Sequence, residues 1–382
     1  MRLSLALALV LVTSLLQTPA GKAAAEPYRI GVVVCESGPA ATLGRPEADS
    51  AQLAVDEINK AGGINGHPLE VTVIDDETVP ANAVSATRRL LDQHVVAIVG
   101  SSITQASLAM VPVMQQAHVP LISLASSANV IEPSADRQWI FKIPPTDTSV
   151  AMMMQRYLKA QGLLRVGAIY RNDDYGKTGI AHFLEAGKAE GFQVVDSEAI
   201  DATSSDATTQ LTKIKAANPQ AILVWSTLPS VYVVIKSYQQ LGLHLPIFFS
   251  DGAADQRFLN QAGIDLNGAM IATTRLAVAP GLANADPQKK IIVHYIDAFE
   301  SAYPKDKPAN MFGGFSYDAV YWLKEALAKS GNDPAKLREA LEHINYAGVS
   351  GVFHTTPSDH NGLAPNSDVI ARVMDGHFHL VR

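Results

Sequence analysis

The chain has 382 residues, 47% of them hydrophobic and 18% charged, which is ample apolar content for more than one core. Its formal net charge of −7 argues against a nucleic-acid binder, which needs a basic surface to neutralise phosphates. With a single cysteine, Cys35, no internal disulfide can form, so stability must come from core burial.

Arg2 is followed by the apolar run LSLALALVLVTSLL and then by small residues, TPAGKAAAEP. The stretch from Leu3 to Leu16 suits the roughly 7–15 residue core of a secretory signal peptide and falls short of the ~20 residues that span a bilayer. We expect cleavage after Ala25, which leaves 357 residues and suggests two domains. No cysteine directly follows the apolar core, so the exported chain is expected to carry no lipid anchor. Cys35 reads as a small apolar side chain in a strand.

From Tyr28 onward, short β-rich runs alternate with amphipathic helical stretches, the α/β pattern. YRIGVVV reads as a strand, and PEADSAQLAVDEINKAGG as a helix with Ala48, Ala51, Val55 and Ile58 on one face, ended by Gly62-Gly63. LEVTVIDD, VVAIVG and PLISLA follow as strands, separated by the helices ANAVSATRRLLDQ and ITQASLAMVPVMQQA. Strands in such consecutive βα units should be parallel. A second series starts after FKIPPTDTS, with strands RVGAIYR, FQVVDSEAI, AILVW, PIFFS and AMIATT among further helices. The last hundred residues give helices in PQKKIIVHYIDAFESAY, SYDAVYWLKEALAKS and PAKLREALEHI, then the short runs VSGVFH, DVIARVMDG and HFHLVR. These read as returns of the chain across two tandem doubly wound lobes. No low-complexity tether separates the lobes, so a multi-strand hinge is expected.

In open parallel sheets, ligands sit beyond the carboxyl ends of the strands, where helix N-termini present free N–H groups. The loops to inspect are therefore ESGPAATLG, SSITQAS, SSANVIEP, NDDYGKTG, STLPS and DGAADQ. Taken singly, Ser101, Ser102, Ser126 and Ser127 read as helix caps, Tyr175 as a turn aromatic and Asp251 as the cap of DQRFLNQ. Their shared topological position is what favours a ligand site.

The segments IGVVVCESGPAATLG, AQLAVDEINKAGGINGHPLEVTVIDDE, GSSITQAS, PLISLASSAN and YRNDDYGKTGIAHFLEAGKAEGFQVV together resemble the leucine/isoleucine/valine-type solute-binding proteins of ABC importers. The resemblance covers essentially the whole mature chain. It implies a type I periplasmic-binding fold, two Rossmann-like lobes joined by a three-crossover hinge. Lobe one would comprise residues 26–144 plus 276–347, and lobe two residues 145–275 plus 348–382. By the same resemblance, Ser101, Ala125 and Ser127, with Ser102 and Ser126 beside them, would grip a ligand carboxylate. Tyr175 and Asp251 would meet its ammonium group. The sequence departs from the family's pattern where Asp251 replaces a longer glutamate, where Leu43 stands for an aromatic and where Leu228 stands for a tyrosine. Gly100 occupies a place that holds a disulfide cysteine in some members. These departures admit aromatic or other organic acids beside branched-chain and other amino acids.

An enzyme is not expected. GPAATLG lacks the P-loop spacing, no G-x-G-x-x-G follows the first strand, and there is no G-x-S-x-G elbow. His354, His360, His377 and His379 lack metal-ligand spacing, and HFH reads as part of a terminal hairpin. Neither cofactor nor metal is expected. The expected partners are a small-molecule ligand and an inner-membrane ABC permease, or alternatively a receptor that the same fold would serve as a sensor. The chain is expected to be a periplasmic monomer.

Overall fold

The computed structural model describes residues 25–260, 266–306 and 308–381, so the expected signal segment up to residue 24 lies outside it. The first series runs β1 (Tyr28–Val34), α1 (Ala41–Lys60), β2 (Leu69–Asp75), α2 (Pro80–Asp92), β3 (Ala97–Gly100), α3 (Thr104–Ala117), β4 (Leu121–Ser123) and β5 (Ile140–Lys142). Its strands form one parallel sheet of five, in the order β2-β1-β3-β4-β5. Between neighbours on both sides, β1 buries all of its residues but Arg29, which is why YRIGVVV is almost continuously apolar.

The second series runs α4 (Asp147–Ala160), β6 (Arg165–Arg171), α5 (Asp174–Glu190), β7 (Gln193–Ile200), α6 (Thr208–Ala216), β8 (Ala221–Trp225), α7 (Ser230–Gln240), β9 (Ile247–Phe249), α8 (Gln256–Leu259) and β10 (Met270–Thr274). It is followed by α9 (Lys289–Ala302), α10 (Met311–Ser330), α11 (Pro334–Leu341), the hairpin β11 (Asn345–Ala347) and β12 (Val352–His354), and the hairpin β13 (Asp368–Met374) and β14 (His377–Leu380). The larger sheet has seven strands in the order β14-β13-β10-β9-β8-β6-β7. Its members from β10 to β7 are parallel, while β13 and β14 add an antiparallel margin.

The late helices return to the first sheet's layer. Helix α10 packs along α1, and Tyr295 of α9 shares a 2.8 Å hydrogen bond with Ser50 of α1. Gly313 makes this approach feasible, since a Cβ there would lie 2.4 Å from the Tyr295 hydroxyl. The chain crosses between the two sheets after β5, after β10 and along the segment between β12 and β13. The last crossing is tied to the first: Asn361 Nδ2 donates to the carbonyls of Lys142 (3.0 Å), Ile143 (3.3 Å) and Pro144 (3.0 Å). His360 stacks on Phe141 beside it.

Three element boundaries differ from expectation. Helix α1 starts at Ala41 and carries Pro46 inside it, past the first turn, where its missing N–H costs one helical hydrogen bond, to the Thr42 carbonyl. Helix α10 starts at Met311 rather than near Ser316, since Asn310 caps it by accepting from Gly313 N at 3.1 Å. The strand β5 was not expected at all: three residues next to Pro144 and Pro145 are too few to show an alternating pattern.

Asp368, at the start of β13, is half-buried, and its enclosed Oδ1 has no hydrogen-bond partner among the described residues. Burial above all, reinforced by the Asp251 charge, pushes its carboxyl up to about 8 against Lys142 and Arg275. The folded protein thus keeps a proton that the unfolded chain releases near 3.8, so this group's contribution to stability is full below that value and is lost as pH rises to about 8. We expect Asp368→Asn to flatten the fall in urea midpoint between pH 4 and 8. An unchanged slope would show that other groups govern it.

Candidate ligand-binding site

The loops leaving β3 and β4 face those leaving β6, β8 and β9. On the first side, α3 is capped by no side chain, so Ser101 and Ser102 are not its caps. Ser101 Oγ instead donates to Asp76 Oδ2 at 2.6 Å, and Ser102 Oγ donates to Glu47 Oε2. Ser102 Oγ also accepts from Cys35 N at 3.1 Å. Burial raises the Glu47 carboxyl well above the usual range and pushes the Cys35 thiol up, so Cys35 is inert packing as expected. Ala125 N donates to Ser123 Oγ at 3.1 Å. Ser127 does act as a cap, accepting from Asn129 N at 3.3 Å, and it also donates to Thr178 on the opposite side.

On the second side, Asp173 caps α5 by accepting from Gly176 N at 3.0 Å, which sets Tyr175 in the first turn. The Tyr175 hydroxyl donates to Asp251 Oδ1 at 2.6 Å and accepts from Gly252 N at 3.0 Å, with Ser250 Oγ also 3.0 Å away. Burial raises the Tyr175 phenol well above its usual range. Asp251 does not cap the following helix. Asp255 takes that role, accepting from Arg257 N at 2.8 Å.

The two sides meet directly. Ser126 Oγ donates to the other Asp251 oxygen at 2.8 Å, so both carboxylate oxygens are bonded, one from each lobe. Burial lifts the Asp251 carboxyl, opposed by these bonds and by the Lys142 charge. Lys142, itself fully buried, donates to the carbonyls of Ser126 (3.0 Å), Pro144 (2.8 Å) and Pro145 (2.9 Å). Desolvation lowers its ammonium to about 8. One ammonium therefore joins the cleft loop to the first crossing.

A further latch follows from Pro46. Lacking an N–H, it leaves the Thr42 carbonyl one turn earlier without its helical donor. Arg257 Nη2, from the other lobe, donates to that carbonyl at 2.8 Å.

Between the lobes remains a cavity of about 30 Å³, against the roughly 300–1,000 Å³ usual for ligand pockets, so the cleft is closed by protein contacts. Leu43, Ser102, Ser126 and Tyr175 line it. Ser101, Ala125, Ser127 and Asp251 lie behind this lining, and Leu228 packs into the core while its neighbour Thr227 faces the cavity. Phe312 and Asp173 border it; Asp174 does not. The sequence reading missed Arg171, which lines the cavity from the end of β6. The second arginine of RVGAIYR, at the ligand end of a parallel strand, was the available signal.

Two doubly wound lobes whose strand-end loops close on one another define a two-lobed, non-enzymatic solute binder of the type I periplasmic-binding architecture. The family comparison agrees, and the chain belongs to the periplasmic binding protein family, whose profile matches residues 27–374. It is 24% identical over 330 residues to the leucine-, isoleucine-, valine-, threonine- and alanine-binding protein of Pseudomonas aeruginosa, covering 86% of this chain and 85% of that one. It is likewise 24% identical to the Leu/Ile/Val-binding protein of Escherichia coli, covering 86% of each. Among solved structures, an extracellular ligand-binding receptor from Rhodopseudomonas palustris is 27% identical with a TM-score of 0.86, covering 94% of this chain and 99% of that one. The Streptococcus pneumoniae branched-chain amino acid binder solved with isoleucine, 24% identical over 93% of this chain and 99% of that one, shares the fold with a TM-score of 0.80. No helix among the described residues is long and apolar enough to cross a membrane.

Proposed function

We propose that the chain is an exported periplasmic binding protein that captures a small carboxylate-bearing solute between its lobes and delivers it to an ABC permease. The lobes are taken as residues 26–144 plus 276–347 and residues 145–275 plus 348–382, except that β12 (Val352–His354) pairs with β11 and so stays with the first, the third crossing following it. The observation that carries this reading is the Ser126–Asp251–Tyr175 chain, in which one buried carboxylate accepts from both lobes. A ligand entering there substitutes for the direct contact and binds the closed form better than the open one, which is how it shifts the population towards closure.

An α-amino acid is the first ligand class. Its carboxylate would meet the Ser102 and Ser126 hydroxyls near the α3 N-terminus, and its ammonium the Tyr175–Asp251 pair. The named ligands of the Pseudomonas and Escherichia relatives support this class. A second class, organic acids without an amine, is favoured by the position of Asp251 behind the cavity lining with both oxygens already bonded. Affinity near micromolar, about −8 kcal/mol, is within reach of a few charge-assisted bonds and a buried apolar group.

The test is a thermal-shift screen of the mature protein against amino acids, aromatic acids and short organic acids, followed by calorimetry, since a specific ligand raises the melting temperature. An α-amino acid hit should lose about tenfold in affinity in Tyr175→Phe, which removes one hydrogen bond to a charged group. Unchanged affinity in that variant would remove Tyr175 from the site. A chain that binds no acid at all would refute the reading.

A further inference from the structure

Arg171 is the one cationic side chain lining the cleft cavity, and the amino-acid reading gives it no task. It is 7% exposed, so its charge is almost wholly withdrawn from water. Its Nε lies 2.6 Å from Asp173 Oδ2, and Nη1 donates to Thr227 Oγ1. Asp173 is its counter-ion, and the other Asp173 oxygen caps α5 through Gly176 N. No hydrogen bond from Nη2 to the protein is formed among the described residues. The strand end is held rigidly: a Cβ on Gly176 would come within 2.0 Å of the Arg171 carbonyl, so α5 packs directly on this backbone.

A guanidinium fixed at one edge by Asp173 and Thr227, with a donor left over and facing a cavity, matches the planar two-oxygen geometry of a carboxylate. The first lobe contributes the hydroxyls of Ser102, Thr104 and Ser126 and the apolar side chains of Leu43, Leu124 and Phe312 to the same cavity. The lining thus combines polar groups from both lobes with an apolar surface. Resting on the reading of the cleft as the ligand site, we propose that Arg171 and Thr227 form a subsite for a second acidic group, so that the ligand is a small dicarboxylate with an apolar centre, with or without an α-amine. A ligand with a purely aliphatic end would instead place hydrocarbon against a buried donor, which is penalised.

Calorimetry of the mature protein against glutarate, adipate, glutamate, leucine and 4-methylpentanoate tests this. The dicarboxylates should bind about 100-fold tighter than the monocarboxylic members. Arg171→Met should weaken dicarboxylate binding about 100-fold, the scale of removing one partner of a buried charge pair, and bring the selectivity ratio to within about threefold of unity. Thr227→Val, which frees Nη1 but leaves the charge, should act in the same direction by about tenfold and guards against misfolding of the arginine variant, whose fold circular dichroism checks. Leucine or 4-methylpentanoate binding tighter than every dicarboxylate, or a selectivity ratio unmoved in both variants, overturns the subsite and leaves the cleft reading standing. Absence of binding by the whole series overturns the subsite, and the cleft reading falls with it only if the wider acid screen also finds no ligand.

Discussion

Replacing Lys142 with methionine is expected to destabilise the protein by about 3–5 kcal/mol, the range seen when one partner of a buried charged cluster is removed. Methionine fills the space with an apolar chain, but three carbonyls, those of Ser126, Pro144 and Pro145, lose their donor. Asp147 and Asp251, whose charges favour the Lys142 ammonium, lose a cation in a region where water cannot replace it, whereas Asp368 keeps its proton up to about pH 8. The deficit should be larger at pH 7 than at pH 5, because the Asp251 carboxyl, raised by burial and no longer opposed by the Lys142 charge, takes up a proton more readily at the lower pH. Urea unfolding at the two pH values measures this. A variant that unfolds at the wild-type midpoint at pH 7 would show that the cluster does not depend on Lys142. Since the same ammonium holds the Ser126 loop, the variant should also bind ligand more weakly.

Gly100→Ala carries the second large effect. Gly100 ends β3 with φ +126°, a conformation that side chains disfavour, and a Cβ there would lie 1.8 Å from the Val33 carbonyl oxygen on β1. The β1–β3 pairing at Val33 and Gly100 must open to admit it. Backbone strain costs roughly 1–3 kcal/mol and the forced overpacking a similar amount. The displaced residues would be Ser101 and Ser102, so affinity should fall with stability. Gly62→Ala is the internal comparison. Gly62 also has positive φ, 103°, yet a Cβ there meets nothing within 4 Å, and only the conformational cost of about 1 kcal/mol is expected. Equal losses in the two variants, read by thermal unfolding, would show that the close approach at Gly100 is relieved without cost. On this backbone path, any side chain at position 100 strikes β1.

Much of the fold was legible because parallel strands buried on both faces leave unmistakable apolar runs, as YRIGVVV and AILVW do. The loops at the strand ends were legible for a topological reason, and Ser102, Ser126 and Tyr175 do meet across the cleft. What was lost was the direction of individual side chains. Leu228 and Thr227 are neighbours that point to different surroundings, and a one-residue difference in facing reverses which of them meets a ligand. Asp251 was placed correctly in the chain but stands one layer back, because Tyr175 and Ser126 occupy its two oxygens. Arg171 was missed since an arginine at a strand end ordinarily reaches solvent, and only the packing of α5 keeps this one at 7% exposure.

Small-angle X-ray scattering of the mature protein, ligand-free and then saturated with the tightest acid found by calorimetry, is the most direct test of lobe closure over a cleft-bound solute. The account predicts that saturation lowers the radius of gyration and yields a profile matching the closed lobes. A ligand that saturates the protein while leaving a scattering profile broader than the closed form unchanged would contradict closure as the means of capture.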